Sequence, residues 1–261
     1  MVQALERGLL IGERQRRICE LVRAEGRVTV DELAARFGTS QVTIRADLST
    51  LESAGALTRT HGGALNVPDG DQPLDVKQLQ HRTEKLRIAE AAAALIKDGE
   101  TIILDSGTTT AEIARRIRTL DLKSINVITN GLNIAAILSD APAVRLIIPG
   151  GILRRESNSL TGPMAEAALD TLQADRLYLG ADGVDPRIGI MTPHLAEAEL
   201  NAKMIKMSRQ VVVVADSSKF ARHNISLIAR IEQLHILITD RAAPPAAIEQ
   251  LRMRGVEVRL V

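Results

Sequence analysis

The segment Thr39 to Leu48, TSQVTIRADL, decides how the first quarter of the chain is read. Set on a helix at about 100° per residue, Ile44, Leu48 and the following Leu51 share one face. Val42, Arg45, Ala46 and Ser49 share the opposite one, and Thr43 lies on the flank. Ser40 suits the N-cap, because its hydroxyl can accept from a backbone N–H that the first turn leaves open. A helix that only completes a core has no use for that outward polar set. A helix laid in the major groove of DNA does, since an arginine there can bond a guanine edge or a phosphate. Spacing alone is also compatible with a three-helix docking or oligomerisation module.

The surroundings extend the pattern. Ile18, Leu21 and Val22 mark a preceding helix, and Val30, Leu33, Ala34 and Phe37 repeat at i, i+3, i+4, i+7 for a second. Thr29 and Glu32 have the spacing of a capping box, and Gly38 is placed to stop that helix. The third helix is expected to run to about Ala54, with Gly55 as its left-handed terminus. Leu57, Arg59 and His61 then alternate as in a strand and Gly62-Gly63 suits a hairpin turn, so ALTRTHGGAL reads as a short β-wing. Arg59 and His61 would reach the DNA backbone. The stretch NVPDGDQPLDVKQLQ that follows has no sustained periodicity and reads as a linker.

From Thr83 onward, helical and strand patterns alternate. TIILD, NVIT, VRLIIPG, RLYLGAD, QVVVVAD, HILITD and VEVRL are apolar runs suited to strands buried on both faces of a parallel sheet. In ILDSGTTTAEIA a strand ends at Asp105, and Ser106, Gly107, Thr108, Thr109 and Thr110 open a helix. Free N–H groups, hydroxyls and the positive end of the helix dipole would converge there, which favours a phosphate. A plain N-capped helix is the competing reading. Neither GxxxxGK[ST] nor GxGxxG occurs at this turn, which argues against a nucleoside triphosphate or a dinucleotide. Thr129-Asn130-Gly131, Gly150-Gly151, Gly180 to Gly183 and Asp216 with Lys219 each follow another strand, and ligands of open parallel sheets sit beyond the strands' carboxyl ends. Asp182, Glu197 and Asp216 offer carboxylates for sugar hydroxyls, although each also suits a turn, a surface site or an ion pair.

Composition sets outer bounds. The 33 basic and 32 acidic residues nearly cancel, so any DNA contact must come from local placement. Aromatic residues make up 1% of the chain, which removes base stacking as a binding mode and disfavours single-stranded nucleic acid. A single cysteine, Cys19, excludes an internal disulfide and a cysteine-based zinc site, and the five histidines lack metal-ligand spacing. No apolar run reaches the length of a membrane span and the first residues lack a signal peptide's apolar core, so a cytoplasmic location is expected. Ser106 lacks a G-x-S-x-G elbow, and no catalytic residue, metal site or cofactor is expected.

Arg14 to Leu65, with its Ser-x-x-Thr-Ile-Arg-x-Asp-Leu core at 40–48 and Arg-Thr-His-Gly-Gly-Ala at 59–64, resembles the winged helix-turn-helix of the DeoR family of bacterial transcriptional repressors. Ala46 departs from the pattern, in which a second arginine is common. EKLRIA, DSGTTT, ITN, PGG, LTGP, GADGVD, TPHLAEAELN and DSSKF resemble that family's effector domain, which is related to sugar-phosphate isomerases such as ribose-5-phosphate isomerase. The resemblance implies an α/β chain: a winged helix-turn-helix over 1–65 with residues 1–11 disordered, a linker over 66–82, and a Rossmann-like parallel-sheet domain over 83–261 for effector binding and oligomerisation. It implies operator contacts from Ser40, Gln41, Val42, Thr43, Arg45, Arg59 and His61. Phosphate would lie at Gly107, Thr108, Thr109 and Thr110, with Asp105 and Ser106 in the same effector site, and the sugar near Asn130, Gly150, Gly151, Asp182, Gly183, Glu197, Asp216, Lys219 and Lys85. TPHLAEAELN and DSSKF are most similar to the branch serving amino-sugar and galactosamine catabolism. The implied protein is a repressor with double-stranded DNA, a phosphorylated sugar and at least one further copy of itself as partners. The alternative is a sugar-phosphate isomerase carrying a DNA-binding domain.

Overall fold

A computed structural model describes residues 8–53, 56–60, 62–66 and 74–261. The chain forms two compact units, Met1–Gln80 and His81–Val261. In the first, α1 (Ile11–Glu25), β1 (Arg27–Thr29), α2 (Val30–Phe37), α3 (Gln41–Ser53), β2 (Leu57–Thr60) and β3 (Gly63–Asn66) follow one another closely. Ile18, Val22, Leu33, Phe37, Ile44, Leu48, Leu51 and Leu57 are all buried in one core, as the helical periodicity requires. The capping box closes as expected, with Glu32 N–H donating to the Thr29 hydroxyl at 3.2 Å and Thr29 N–H donating to Glu32 at 2.8 Å. The Thr29 N–H, and next its hydroxyl, hold the Glu32 carboxyl below its usual range. Gly38 ends α2 in the left-handed region, at φ 61°.

Three expectations need adjustment here. The wing has three strands in the order β1-β3-β2, and Gly63 lies within β3 instead of in the turn. A Cβ at Gly63 would sit 2.0 Å from the Val28 carbonyl oxygen, so the glycine permits β1 and β3 to approach, and the reversal falls between the paired residues Thr60 and Gly63. Within the expected linker, Leu74–Leu79 is helical (α4). Ile11, placed in the stretch expected to be disordered, is the first residue of α1. Residues 1–7, the end of the third helix at Ala54 and Gly55, and the rest of the linker at 67–73 lie outside the described residues.

The second unit starts with α5 (Arg82–Ala93), β4 (Thr101–Leu104), α6 (Thr108–Ile117), β5 (Ile125–Thr129), α7 (Leu132–Leu138) and β6 (Val144–Ile147). It continues with β7 (Ile152–Arg154), β8 (Ser159–Thr161), α8 (Pro163–Leu169), β9 (Ala174–Gly180), β10 (Gly183–Asp185), β11 (Gly189–Thr192) and α9 (Leu195–Lys206). β12 (Ser208–Val214), β13 (Ser226–Ala229), β14 (Ile236–Thr239), α10 (Pro245–Met253) and β15 (Glu257–Leu260) complete it. Seven strands form a parallel sheet in the order β15-β14-β12-β9-β4-β5-β6. Both faces are covered, because alternate residues enter different cores: Ile103, Leu177, Val211 and Val213 on one side, Ile102, Leu104, Tyr178, Val212 and Val214 on the other.

The chain begins this sheet at β4, builds outward to β6, and returns to β9 on β4's other side. Strand order therefore reverses between β4 and β9, the position at which open parallel sheets bind ligands beyond the carboxyl ends of their strands. Two small antiparallel additions, β7-β8 and β10-β11-β13, were not legible as strands because each segment has only three or four residues.

Candidate functional site

Two surfaces carry the candidate residues, one on each unit. On the first, α3 presents Val42, Arg45, Ala46 and Ser49 to solvent while Ile44, Leu48 and Leu51 fill the core. Ser40 caps the helix by accepting from Thr43 N–H at 3.1 Å, and its hydroxyl also pairs with that of Thr43 at 2.8 Å. The Gln41 amide donates to Asp31 of α2 at 2.5 Å. Asp47, which sequence reading passed over, is 4% exposed and takes bonds from Arg14 Nε at 2.6 Å, Arg14 Nη2 at 3.3 Å and Gln15 at 3.1 Å. It fastens α3 to α1 and fixes the direction in which Arg45 projects. On β2, Arg59 N–H donates to Glu52 of α3 at 3.0 Å and its guanidinium lies 3.9 Å from the same carboxylate. His61 lies outside the described residues.

On the second unit, Asp105 ends β4 at the point of strand reversal. Its carboxylate is turned into the protein, accepting from Gly107 N–H at 2.9 Å, the Thr110 hydroxyl at 2.6 Å and Gly180 N–H at 2.7 Å. Burial raises its pKa, and the three donors oppose that rise without cancelling it. Asp105 thus locks the entry of α6 to the end of β9. Thr110 is fully buried and its hydroxyl is committed to Asp105, so its side chain cannot face a ligand as the sequence suggested. What remains is the partly exposed Ser106-Gly107 turn, the buried Thr108 and Thr109, and the N–H groups that every helix start leaves without intrahelical partners.

Neighbouring strand ends close on this point. A Cβ at Gly131 would meet Ser106 Cα at 2.9 Å, so the loop after β5 rests directly against the α6 entry. Asn130 is 2% exposed, donates to the Leu160 carbonyl at 3.3 Å, and has a buried Oδ1 with no partner. Glu197, in the first turn of α9, accepts from Ser159 at 2.7 Å, Ser157 at 2.5 Å and Arg154 at 3.2 Å. Those three partners were missed by sequence reading; the only sign of them was a polar run between two glycine-containing turns. Thr192 donates to Asp182 at 3.3 Å.

Asp216 follows β12 and is fully buried, with Ser218 N–H donating to its Oδ1 at 3.1 Å. Burial pushes its carboxyl upward, but Lys219, the Ser218 hydroxyl, His81 and Lys85 together outweigh that and hold it below the usual range. Lys85 and Lys219 are both buried beside it. Asp240, also missed, anchors the next strand end by accepting from Ser217 N–H at 2.6 Å and Ala242 N–H at 3.1 Å. Two of the candidate glycines serve packing. Gly151 lies at φ 119° with its Cα facing the Thr161 carbonyl, and a Cβ at Gly183 would lie 2.4 Å from the Arg222 carbonyl oxygen. Gly150, beside Gly151, also has a left-handed φ of 78° and open space around it.

Among the described residues no cluster of His, Cys, Asp or Glu could hold a metal ion, and no helix is long and apolar enough to cross a membrane. Comparison with known families decides what these two surfaces belong to. Residues 14–68 match the DeoR-like helix-turn-helix domain, and residues 80–241 match the DeoR C terminal sensor domain. The chain belongs to the DeoR family. It is 41% identical, over 95% of its own length and 93% of the relative's, to an Escherichia coli O157:H7 protein provisionally named as the aga operon transcriptional repressor. It is 36% identical to the transcriptional repressor AccR of Agrobacterium fabrum, covering 87% of this chain and 89% of that one. It is 32% identical to the HTH-type transcriptional repressor GlcR of Bacillus subtilis, covering 94% and 95%. Among solved structures it is similar to ribose 5-phosphate isomerase A from Methanocaldococcus jannaschii, at 21% identity and a TM-score of 0.40 over 54% of this chain and 56% of that one. Nothing about its chemistry follows from that last likeness. This DeoR-family chain is a transcriptional regulator whose helix-turn-helix binds DNA and whose sensor domain receives an effector.

Proposed function

We propose that this regulator represses a sugar or amino-sugar catabolic operon and that a phosphorylated sugar, held at the carboxyl edge of the parallel sheet, controls its grip on operator DNA. Residues 1–65 serve as the DNA-binding domain and 83–261 as the sensing and oligomerisation domain. The observation that carries the reading is the α6 entry. Asp105 anchors it at the strand reversal, and the N–H groups of its first turn, which a helix start leaves without intrahelical partners, form the kind of site that takes phosphate. Two strands away, Lys219 and Lys85 stand beside Asp216 and supply cationic and acceptor chemistry for the rest of the ligand. Asn130 Oδ1, buried without a partner, suits a hydroxyl donor.

A single winged domain binds DNA weakly, so the working form is at least a dimer on paired half-sites. The effector acts by favouring one arrangement of the paired DNA-binding domains, with a coupling free energy that both ligands share. A thermal-shift screen of the full chain against phosphorylated sugars, phosphorylated amino sugars and their unphosphorylated counterparts tests this. A ligand at about 100 times its Kd stabilises by about 2.7 kcal/mol, so a phosphorylated compound should raise the melting temperature by several degrees. Stabilisation only by unphosphorylated sugars would overturn the phosphate assignment.

A further inference from the structure

The outward stripe of α3 has an unusual composition for a DNA-reading helix. Val42 is 75% exposed, in the first turn of a helix whose other large apolar residues are buried. Neither helix propensity nor solubility favours a valine there. Its polar neighbours are engaged within the protein: the Gln41 amide on Asp31, and the Ser40 hydroxyl on Thr43. Ala46, one turn further on, is also exposed, so ahead of Ser49 the presented surface is one guanidinium, Arg45, between two methyl-bearing side chains.

We infer that this surface reads thymine 5-methyl groups on either side of a guanine. The major groove displays the thymine methyl as its one apolar feature, and guanine as the best partner for arginine. Val42 and Ala46 are separated by about 6 Å along the helix axis, from a rise of about 1.5 Å per residue. A base step is about 3.4 Å, so the two methyl-bearing side chains span about two steps, with Arg45 between them. The inference rests on α3 being the DNA-reading helix and adds the chemistry that it recognises.

The test uses duplexes selected by the full-length protein from a random-sequence library, with each thymine replaced in turn by deoxyuridine, which lacks only the 5-methyl group. Wild-type protein should lose about fourfold in affinity at each of two thymines flanking a guanine, the change expected for one buried methyl. Val42→Ser should weaken the unmodified duplex and lose its response to deoxyuridine at one of those thymines while keeping it at the other. A selected site without that thymine–guanine arrangement overturns the inference. So does indifference to deoxyuridine at every position: if Arg45→Ala still weakens binding in that case, α3 remains the reading helix and only the methyl readout fails. Should Arg45→Ala bind as wild type, the assignment of α3 falls and the inference with it.

Discussion

Replacing Asp105 by Asn preserves shape and removes one acceptor. The carboxylate serves three donors, Gly107 N–H, the Thr110 hydroxyl and Gly180 N–H, at 2.9, 2.6 and 2.7 Å. An amide has one acceptor oxygen, so either the α6 entry or the β9 end must face an NH2 group instead. Losing a hydrogen bond to a buried charged group costs about 1.5–3 kcal/mol. Part of that is recovered, because the native carboxylate is itself penalised by burial, as its raised pKa records. The net expectation is a loss of about 1–2 kcal/mol, or about 2–8 °C in melting temperature for a unit of this size. Differential scanning calorimetry of wild type and variant measures it, and the response to the stabilising phosphorylated sugar should fall in parallel because the α6 entry loses its anchor. A variant that melts with wild type, or above it, would refute the claim that this carboxylate holds the two strand ends together.

Arg45→Ala should leave the circular dichroism spectrum unchanged and weaken operator binding by about 1–3 kcal/mol in an anisotropy titration. Asp47→Ala strips the carboxylate from Arg14, whose side chain is only 12% exposed. Breaking such a pair costs about 3–5 kcal/mol, close to all the stability a domain that small has, so DNA binding and part of the helical signal should vanish while the effector-induced thermal shift persists. Asp216 has a lowered pKa, so its contribution is present above the ordinary carboxyl range, near pH 3.9, and is lost as pH falls through its native value. Urea titrations across that acid range should show a shallower loss of stability in Asp216→Asn than in wild type.

Features set by local chemistry were readable from the sequence. Ile44, Leu48 and Leu51 follow the helical period, Thr29 and Glu32 cap within one turn, and the sheet strands are apolar runs because both faces are buried. Features set by distant approach were not. β1 is only Arg27–Thr29, and it exists because Gly63 lets a strand more than thirty residues later lie against Val28. Glu197 looks like a free carboxylate in sequence, yet Arg154, 43 positions earlier, is brought to it by a hairpin with no periodic signal. Thr110 belongs to a run of threonines whose polarity suggested a shared role, but the helix turns its hydroxyl inward onto Asp105.

The central claim, that a phosphorylated sugar at the carboxyl edge governs DNA binding, is tested most directly by operator affinity measured with and without the stabilising ligand in wild type and Lys219→Ala. A ligand shifts an equilibrium only through its differential affinity for the two states, so removing its cation should remove the shift without touching α3. The expected result is a wild-type affinity that changes by about tenfold, equivalent to about 1.4 kcal/mol of coupling, and a variant that binds operator equally well under both conditions. A Lys219→Ala protein that still responds at wild-type ligand concentrations would contradict it.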